Sequence, residues 1–247
     1  MIGVLDNKVK YVSTLYVVST PIGNLEDITL RALRILKEVD FVLCEDTRVT
    51  QKLLSRYGIS TPTISYHQHS TGKKVEYVLD LLNKGKNLAL VCDAGTPGIS
   101  DPGGKLIQAA IEQHNNGTIV TVPGPSALTA AASISGFPMD RFEFKGFPPQ
   151  KKKRKKFFEE IAQSKQPVIF YESSHRIIKS LLELKEMDEN MSGFAKSRAA
   201  RQVVLCRELT KKFETVYRGI IGEVIRELEG GEARGEFVVV VEGRKNC

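Results

Sequence analysis

Short apolar runs alternate with stretches of helical periodicity along nearly the whole chain, and this alternation restricts the fold more than any single motif. The runs read as strands at Leu15–Ser19, Asp40–Cys44, Thr63–Tyr66, Asn87–Cys92 and Thr118–Val122. A second set follows at Arg141–Phe144, Pro167–Tyr171, Gln202–Cys206, Thr215–Arg218 and Glu236–Val241. Between them, apolar residues recur at helical spacing over Thr29–Lys37, Thr47–Tyr57, Lys73–Asn83, Lys105–Gln113, Ala127–Ser133, Lys152–Ala162, His175–Lys185 and Ile220–Leu228. Strands interleaved with helices predict an α/β fold with largely parallel sheets. The Pro123-Gly124-Pro125 turn sits midway and predicts two α/β domains, 1–123 and 124–247, each of ordinary domain size. Gly193–Arg201 reads as a long polar loop ahead of a late strand.

Polar or conformationally special residues sit just past the ends of the apolar runs. LYVV is followed by Ser19-Thr20-Pro21, FVLC by Glu45-Asp46, LALVC by Asp93, VTV by Pro123-Gly124, VIFY by Glu172-Ser173 and VVLC by Arg207-Glu208. Ligands of open α/β sheets bind outside the carboxyl ends of the strands. The chain is therefore expected to carry its chemistry on one rim of each half, the two rims facing one another across a cleft. The densest such segment is Leu88–Gly104, LALVCDAGTPGISDPGG. After Cys92, four glycines, two prolines and two aspartates fall within twelve residues. Simple strand-to-helix connections run about 2–6 residues, so this reads as a rigid binding loop.

Several classes are disfavoured. The first loop, Ser19–Asn24, is neither GxGxxG nor GxxxxGK[ST], which argues against a dinucleotide site and a phosphate-hydrolysing P-loop. HExxH, GxSxG and kinase signatures are absent. His67 and His69 share a face but lack a third ligand, and His114 and His175 are scattered, so no metal is expected. Cys44, Cys92 and Cys206 end apolar runs and read as small buried hydrophobes; with Cys247 they form no CxxC. No apolar run approaches the roughly 18–20 residues that span a bilayer. The first residues show no signal-peptide pattern, so a cytoplasmic protein is expected, with no membrane partner. The net charge of +7 is clustered in KKKRKK, Lys151–Lys156, which points to nucleic acid or another anionic partner.

Six segments together resemble a known family: STPIGNLEDIT (Ser19–Thr29), CEDTR (Cys44–Arg48), DAGTPGISDPG (Asp93–Gly103), VPGPSA (Val122–Ala127), FYESSHR (Phe170–Arg176) and CREL (Cys206–Leu209). They look like the signature loops of the tetrapyrrole-methylase-like superfamily of S-adenosylmethionine-dependent methyltransferases. Within it they resemble the bacterial enzymes that methylate the ribose 2′-hydroxyl of cytidine 1402 in the decoding centre of 16S ribosomal RNA. The resemblance implies two α/β domains with S-adenosylmethionine between them, a homodimer, and 16S rRNA, in the assembled small subunit, as substrate. Carried over residue by residue, it implies cofactor contacts from Pro21, Asp93, Ala94, Gly95, Thr96, Ile99, Ser126, Ala127, Tyr171, Glu172 and Leu209. A general base for the hydroxyl proton would come from Glu45, Asp46, Glu172 or His175, with helix capping the competing explanation for Asp46. Phosphate contacts are expected from Arg48, Lys151, Lys152, Lys153, Arg154, Lys155, Lys156 and Arg176. Two other readings stay open at the level of sequence: the same fold methylating a small molecule such as a tetrapyrrole, and a basic RNA-binding protein without catalysis. Against the latter, stacking aromatics are not concentrated anywhere; Phe142, Phe144 and Phe147 lie close together, but alternation assigns the first two to the core.

Overall fold

The computed structural model describes residues 13–67, 72–113, 117–192, 201–231 and 234–244. His69, His114, Cys247, the first twelve residues and the expected polar loop, apart from Arg201, lie outside the described residues. The chain divides into two compact units, Met1–Pro125 and Ser126–Cys247. No helix among the described residues is long and apolar enough to cross a membrane.

Unit 1 is built on five strands: β1 (Thr14–Val18), β2 (Phe41–Cys44), β3 (Thr63–Ser65), β4 (Leu88–Leu90) and β5 (Thr118–Val122). They form one sheet in the order β3-β2-β4-β1-β5, and every pairing is parallel. The crossovers are α1 (Leu30–Glu38), α2 (Thr47–Arg56), α3 (Gly72–Asn83) and α4 (Gly103–Gln113). Ala32, Ile35 and Leu36 of α1 and Leu53 and Leu54 of α2 pack with Val18, Val42 and Ala89 on one face. Val78, Leu79 and Leu82 of α3 and Leu106 and Ala110 of α4 pack with Leu15, Leu43 and Leu88 on the other. Covering both faces explains why these strands read as unbroken apolar runs rather than as alternating ones. It also has a positional consequence. The chain leaves β2 toward one face and the adjacent β4 toward the other, which opens a crevice at their carboxyl ends.

Unit 2 contains α5 (Ala127–Ile134), β6 (Glu143–Phe144), α6 (Arg154–Gln163), β7 (Val168–Ser173), α7 (Ile177–Ser192), β8 (Gln202–Arg207), β9 (Thr215–Ile220), α8 (Ile221–Glu229) and β10 (Glu236–Val241). Its sheet has the order β6-β7-β10-β8-β9. Here the expectation of largely parallel pairing fails: only β6–β7 is parallel, and β7–β10, β10–β8 and β8–β9 are antiparallel. The cause is the short connection from Arg207 to Thr215, because a parallel return needs a crossover of about a dozen residues or more. Phe158, Ile161, Leu181, Leu184, Val224 and Leu228 from three helices close over Phe170, Leu205, Phe237 and Val239. Each such side chain stabilises the unit by about 1.5–3 kcal/mol relative to an exposed one.

Element ends differ from expectation for local reasons. The first turn of α6 starts at Arg154 rather than Lys152, because Lys153 adopts φ 67°. Helix α4 starts two residues early, at Gly103, whose N–H is capped by Asp101. Helix α7 continues past Lys185 to Ser192, and Asp188 in the added stretch pairs with Arg201 at 3.3 Å. That buried guanidinium also donates to Ile161 O and Ala162 O.

Candidate functional site

Four loops leave the carboxyl edge of the unit 1 sheet, after β1, β2, β4 and β5, and hydrogen bonds lock them together. Gly95 in the β4 loop and Thr20 in the β1 loop exchange both backbone bonds: Thr20 N donates to Gly95 O at 2.9 Å and Gly95 N donates to Thr20 O at 3.0 Å. The Thr20 hydroxyl donates to Cys92 O at 3.0 Å. The hydroxyls of Ser19 and Thr96 lie 2.9 Å apart, and that of Thr96 donates to Pro125 O at 3.3 Å. Asp46 N, at the end of the β2 loop, donates to Asp93 Oδ1 at 3.1 Å. Ser19 and Thr20 are almost fully buried, so these bonds also satisfy polar groups that water does not reach. At the far end of the β4 loop, Asp101 Oδ1 accepts from Gly98 N (2.8 Å) and Gly103 N (2.7 Å). Its Oδ2 is buried without a hydrogen-bond partner among the described residues. The result is a fixed rim whose exposed surface includes Asp93, Ala94 and Ile99, with Pro21 and Gly95 beneath it.

The rim is electronegative. Burial, reinforced by the charges of Asp93 and Asp101 and partly offset by His67, raises the Glu45 carboxyl above the ordinary glutamate range. None of Glu45, Asp93 and Asp101 makes an ion pair among the described residues. Asp46 differs: its carboxylate caps α2 by accepting from Arg48 N and also holds the Arg48 side chain. Those hydrogen bonds lower its pKa to about 2. Asp46 is therefore a poor proton acceptor near neutral pH, and the capping explanation describes its geometry. Cys44, Cys92 and Cys206 are buried, as expected of small core hydrophobes.

On the unit 2 sheet, β7 and β8 end on the same edge, on either side of Phe237 in β10. At the carboxyl end of β7 lies a buried ionic cluster. Glu172, 1% exposed, accepts from Ser173 N (2.8 Å) and the Ser180 hydroxyl (2.6 Å), and pairs with Arg176 at 2.9 Å. Arg154 donates to Glu183 Oε2 (2.7 Å), Ser180 Oγ (2.8 Å) and Pro149 O (3.2 Å). Arg176 donates to Ser173 Oγ and Pro148 O. Glu172 is thus a structural counter-ion rather than an available base, since a buried charge is tolerated only when paired and hydrogen-bonded. Arg154 and Arg176 likewise leave the set of cations offered to solvent. His175 is exposed in the turn before α7, Tyr171 is half-buried, Leu209 is buried, and Ser126 N-caps α5 without a side-chain cap bond.

The sequence profile of the Tetrapyrrole (Corrin/Porphyrin) Methylases matches residues 14–225. The chain belongs to this family. Within it, the chain groups with proteins named ribosomal RNA small subunit methyltransferase I. That of Thermotoga maritima is 40% identical over 231 residues, covering 94% of this chain and 99% of that protein. That of Bacillus subtilis is 42% identical over 233 residues (94% and 76%), and that of Vibrio cholerae 44% over 240 residues (94% and 78%). Among solved structures, the cobalt precorrin-4 methyltransferase CbiF matches with a TM-score of 0.65 at 18% identity, covering 93% of this chain and 94% of that one. The methyltransferase CobJ gives 0.66 at 17%, with 96% and 97% covered. At that identity the likeness concerns the fold alone.

In this methylase the sequence placed Ser19 and Thr20 on the rim but made site residues only of Pro21 and members of the Asp93–Ile99 segment, which Ser19 and Thr20 tie together. Hydroxyl residues directly after a buried strand were the available signal, because such groups must find partners inside the protein. The internal role of Arg154 was hidden by its five lysine neighbours.

Proposed function

We propose that this methylase transfers a methyl group from S-adenosylmethionine to the ribose 2′-hydroxyl of cytidine 1402 in 16S ribosomal RNA, acting on the assembled small subunit as a cytoplasmic homodimer. The observation that carries the reading is the 40–44% identity, over 93–94% of the chain, to proteins named for methylating small-subunit ribosomal RNA. The unit 1 rim fits the cofactor. Its three carboxylates without an ion pair, Glu45, Asp93 and Asp101, favour a cation, and the exposed Ala94 adds little side-chain bulk to the surface, above the buried Gly95. Bound there, S-adenosylmethionine would supply an electrophilic methyl group on a sulfonium. Pro21, Asp93, Ala94, Gly95, Thr96 and Ile99 would hold its methionine part. Tyr171 and Leu209 are the candidates from unit 2 for the adenosine side, with Glu172 supporting them by fixing Arg176, and Ser126 and Ala127 are further candidate contacts.

Of the four candidate bases, Glu45 suits proton removal best. It is half-buried, unpaired and raised toward neutrality, where a general base is most effective. A base must be ionised to act, so the rate should fall as pH drops through the raised Glu45 pKa, on an acid limb lying above that of an ordinary glutamate. Glu45→Gln should lower kcat by about 10²–10⁴-fold and abolish that limb, while weakening cofactor binding far less, because Asp93 and Asp101 keep their charges. An unchanged limb in the variant would move the proton transfer elsewhere, with His175 next in line.

The decisive experiment for the whole reading offers tritiated S-adenosylmethionine with unmethylated small subunits, a tetrapyrrole, or neither. Ribose methylation blocks alkaline cleavage at the next phosphodiester, so the label should appear in one alkali-stable dinucleotide beginning with cytidine. Label in the tetrapyrrole, or RNA binding without transfer, would establish one of the other two readings instead.

A further inference from the structure

We propose that Phe147 stacks on a base of the RNA while the turn Lys151–Lys153 holds neighbouring phosphates, so that residues 145–153 form a nucleotide grip at the carboxyl edge of β6 and β7. The inference rests on the ribosomal reading above and adds a residue and a contact chemistry to it. Single exposed hydrophobics are common and carry no meaning alone, but three observations set Phe147 apart.

The ring is 51% exposed yet held in place. It packs on Tyr171 in a T-shaped pair at 5.4 Å, and Tyr171 packs in the same manner on Phe144 at 5.0 Å. The backbone that follows is clamped from inside, the Pro148 carbonyl by Arg176 at 3.4 Å and the Pro149 carbonyl by Arg154 at 3.2 Å. Both guanidiniums are anchored by the Glu172 cluster. A preorganised aromatic loses little freedom on binding, which is what a recognition residue needs.

The turn that follows is cationic without compensation. Lys151, Lys152 and Lys153 are exposed and form no ion pair among the described residues. Lys155 and Lys156, on α6, are opposed by Glu159 and Glu160 at 3.8 and 4.0 Å. Lys153 adopts a left-handed backbone, φ 67°, so the three lysines are held as a turn and not as part of the helix. An open aromatic beside unneutralised cations is the chemistry of single-stranded nucleic acid, in which every base offers a π-face and every linkage a charge. A membrane surface would call for several inserted apolar groups, and here there is one.

The test uses full-length protein and unmethylated small subunits. Phe147→Ala should raise the KM for subunits by about 5-fold or more, with the dissociation constant for S-adenosylmethionine unchanged. Phe147→Trp should restore the KM and Phe147→Leu should not, because leucine keeps apolar bulk but offers no face to stack on. Replacing Lys151, Lys152 and Lys153 with Gln should flatten the salt dependence of KM, by about 0.7 in logarithmic slope per lost phosphate contact. Phe147→Ala should leave that slope alone. Tyr77→Ala, which removes another exposed ring with a lysine over it, should change nothing. A wild-type KM in Phe147→Ala or in Phe147→Leu, with the parent active on subunits, overturns the grip alone. A parent protein that transfers no methyl to subunits overturns the ribosomal reading and the grip with it.

Discussion

Gly95→Val should abolish S-adenosylmethionine binding, lowering affinity at least about 100-fold, in a protein that remains folded. Gly95 sits at φ +85°, where a β-branched residue is a genuine outlier. Its position is over-determined by the two-bond bridge to Thr20. An added Cβ would already touch Ile22 Cγ2 at 3.5 Å and Pro125 O at 3.9 Å, so the further methyl groups of valine must push the β1 or β5 loop or swing the β4 loop outward. Strain of this kind costs about 1–3 kcal/mol, less than the roughly 5–15 kcal/mol that holds a typical domain together. The fold survives, but loops that are bonded to one another move together. Gly58→Val separates strain from site damage. Gly58 has φ +64° with nothing within 4 Å of an added Cβ, and it lies just past the far end of α2 from the rim. That variant should lose comparable stability in a urea titration and keep full affinity by calorimetry. Normal affinity in folded Gly95→Val would place the cofactor elsewhere.

The fold was legible wherever burial dictated the pattern. In unit 1, strands covered on both faces leave continuous apolar runs, and the helices between them bury one stripe each. Unit 2 was misread in pairing because strand periodicity carries no direction. The usable signal was connection length: the segment between Arg207 and Thr215 has no room for a crossover helix, which forces β8 and β9 to run antiparallel. The placement of β10 between β7 and β8 joins residues distant in sequence, and no local pattern reports it.

The candidate site was legible as loops and not as side chains. Glycine and proline mark a constrained connection directly, so Asp93–Gly103 stood out. The state of each carboxylate depends on neighbours brought in by the fold. Glu45, Asp46 and Glu172 all follow apolar runs and look alike in the sequence. The structure makes one unpaired and raised, one a helix cap bound by Arg48, and one a buried counter-ion. The basic run divides in the same way. Arg154 turns inward because the first turn of α6 faces α7, while its lysine neighbours stay in water.

Assembled small subunits should be methylated at least about 100-fold faster than a short RNA fragment bearing the same cytidine, at matched salt and subsaturating acceptor. Every ribonucleotide carries a 2′-hydroxyl, so the reacting group identifies nothing by itself. Selection must come from contacts made away from it. The chain offers cations for such contacts on both units: Arg48, 85% exposed in its side chain, on unit 1, and the unpaired lysines of the Lys151–Lys153 turn on unit 2. Contacts that engage together convert each further one into an intramolecular event, which raises apparent affinity by about 10²–10⁴-fold without any new interaction. A fragment of a few nucleotides reaches only one set and gains none of this. It must also pay the ordering cost that a folded subunit has already met, because in-line alignment of the hydroxyl is where positioned reactants gain most of their rate. The two substrates should differ in salt response as well, the subunit reaction falling more steeply because more phosphates are neutralised. Equal rates on both acceptors would mean that recognition is confined to the nucleotides around the cytidine, and the lysine turn would then be an ordinary solvated surface.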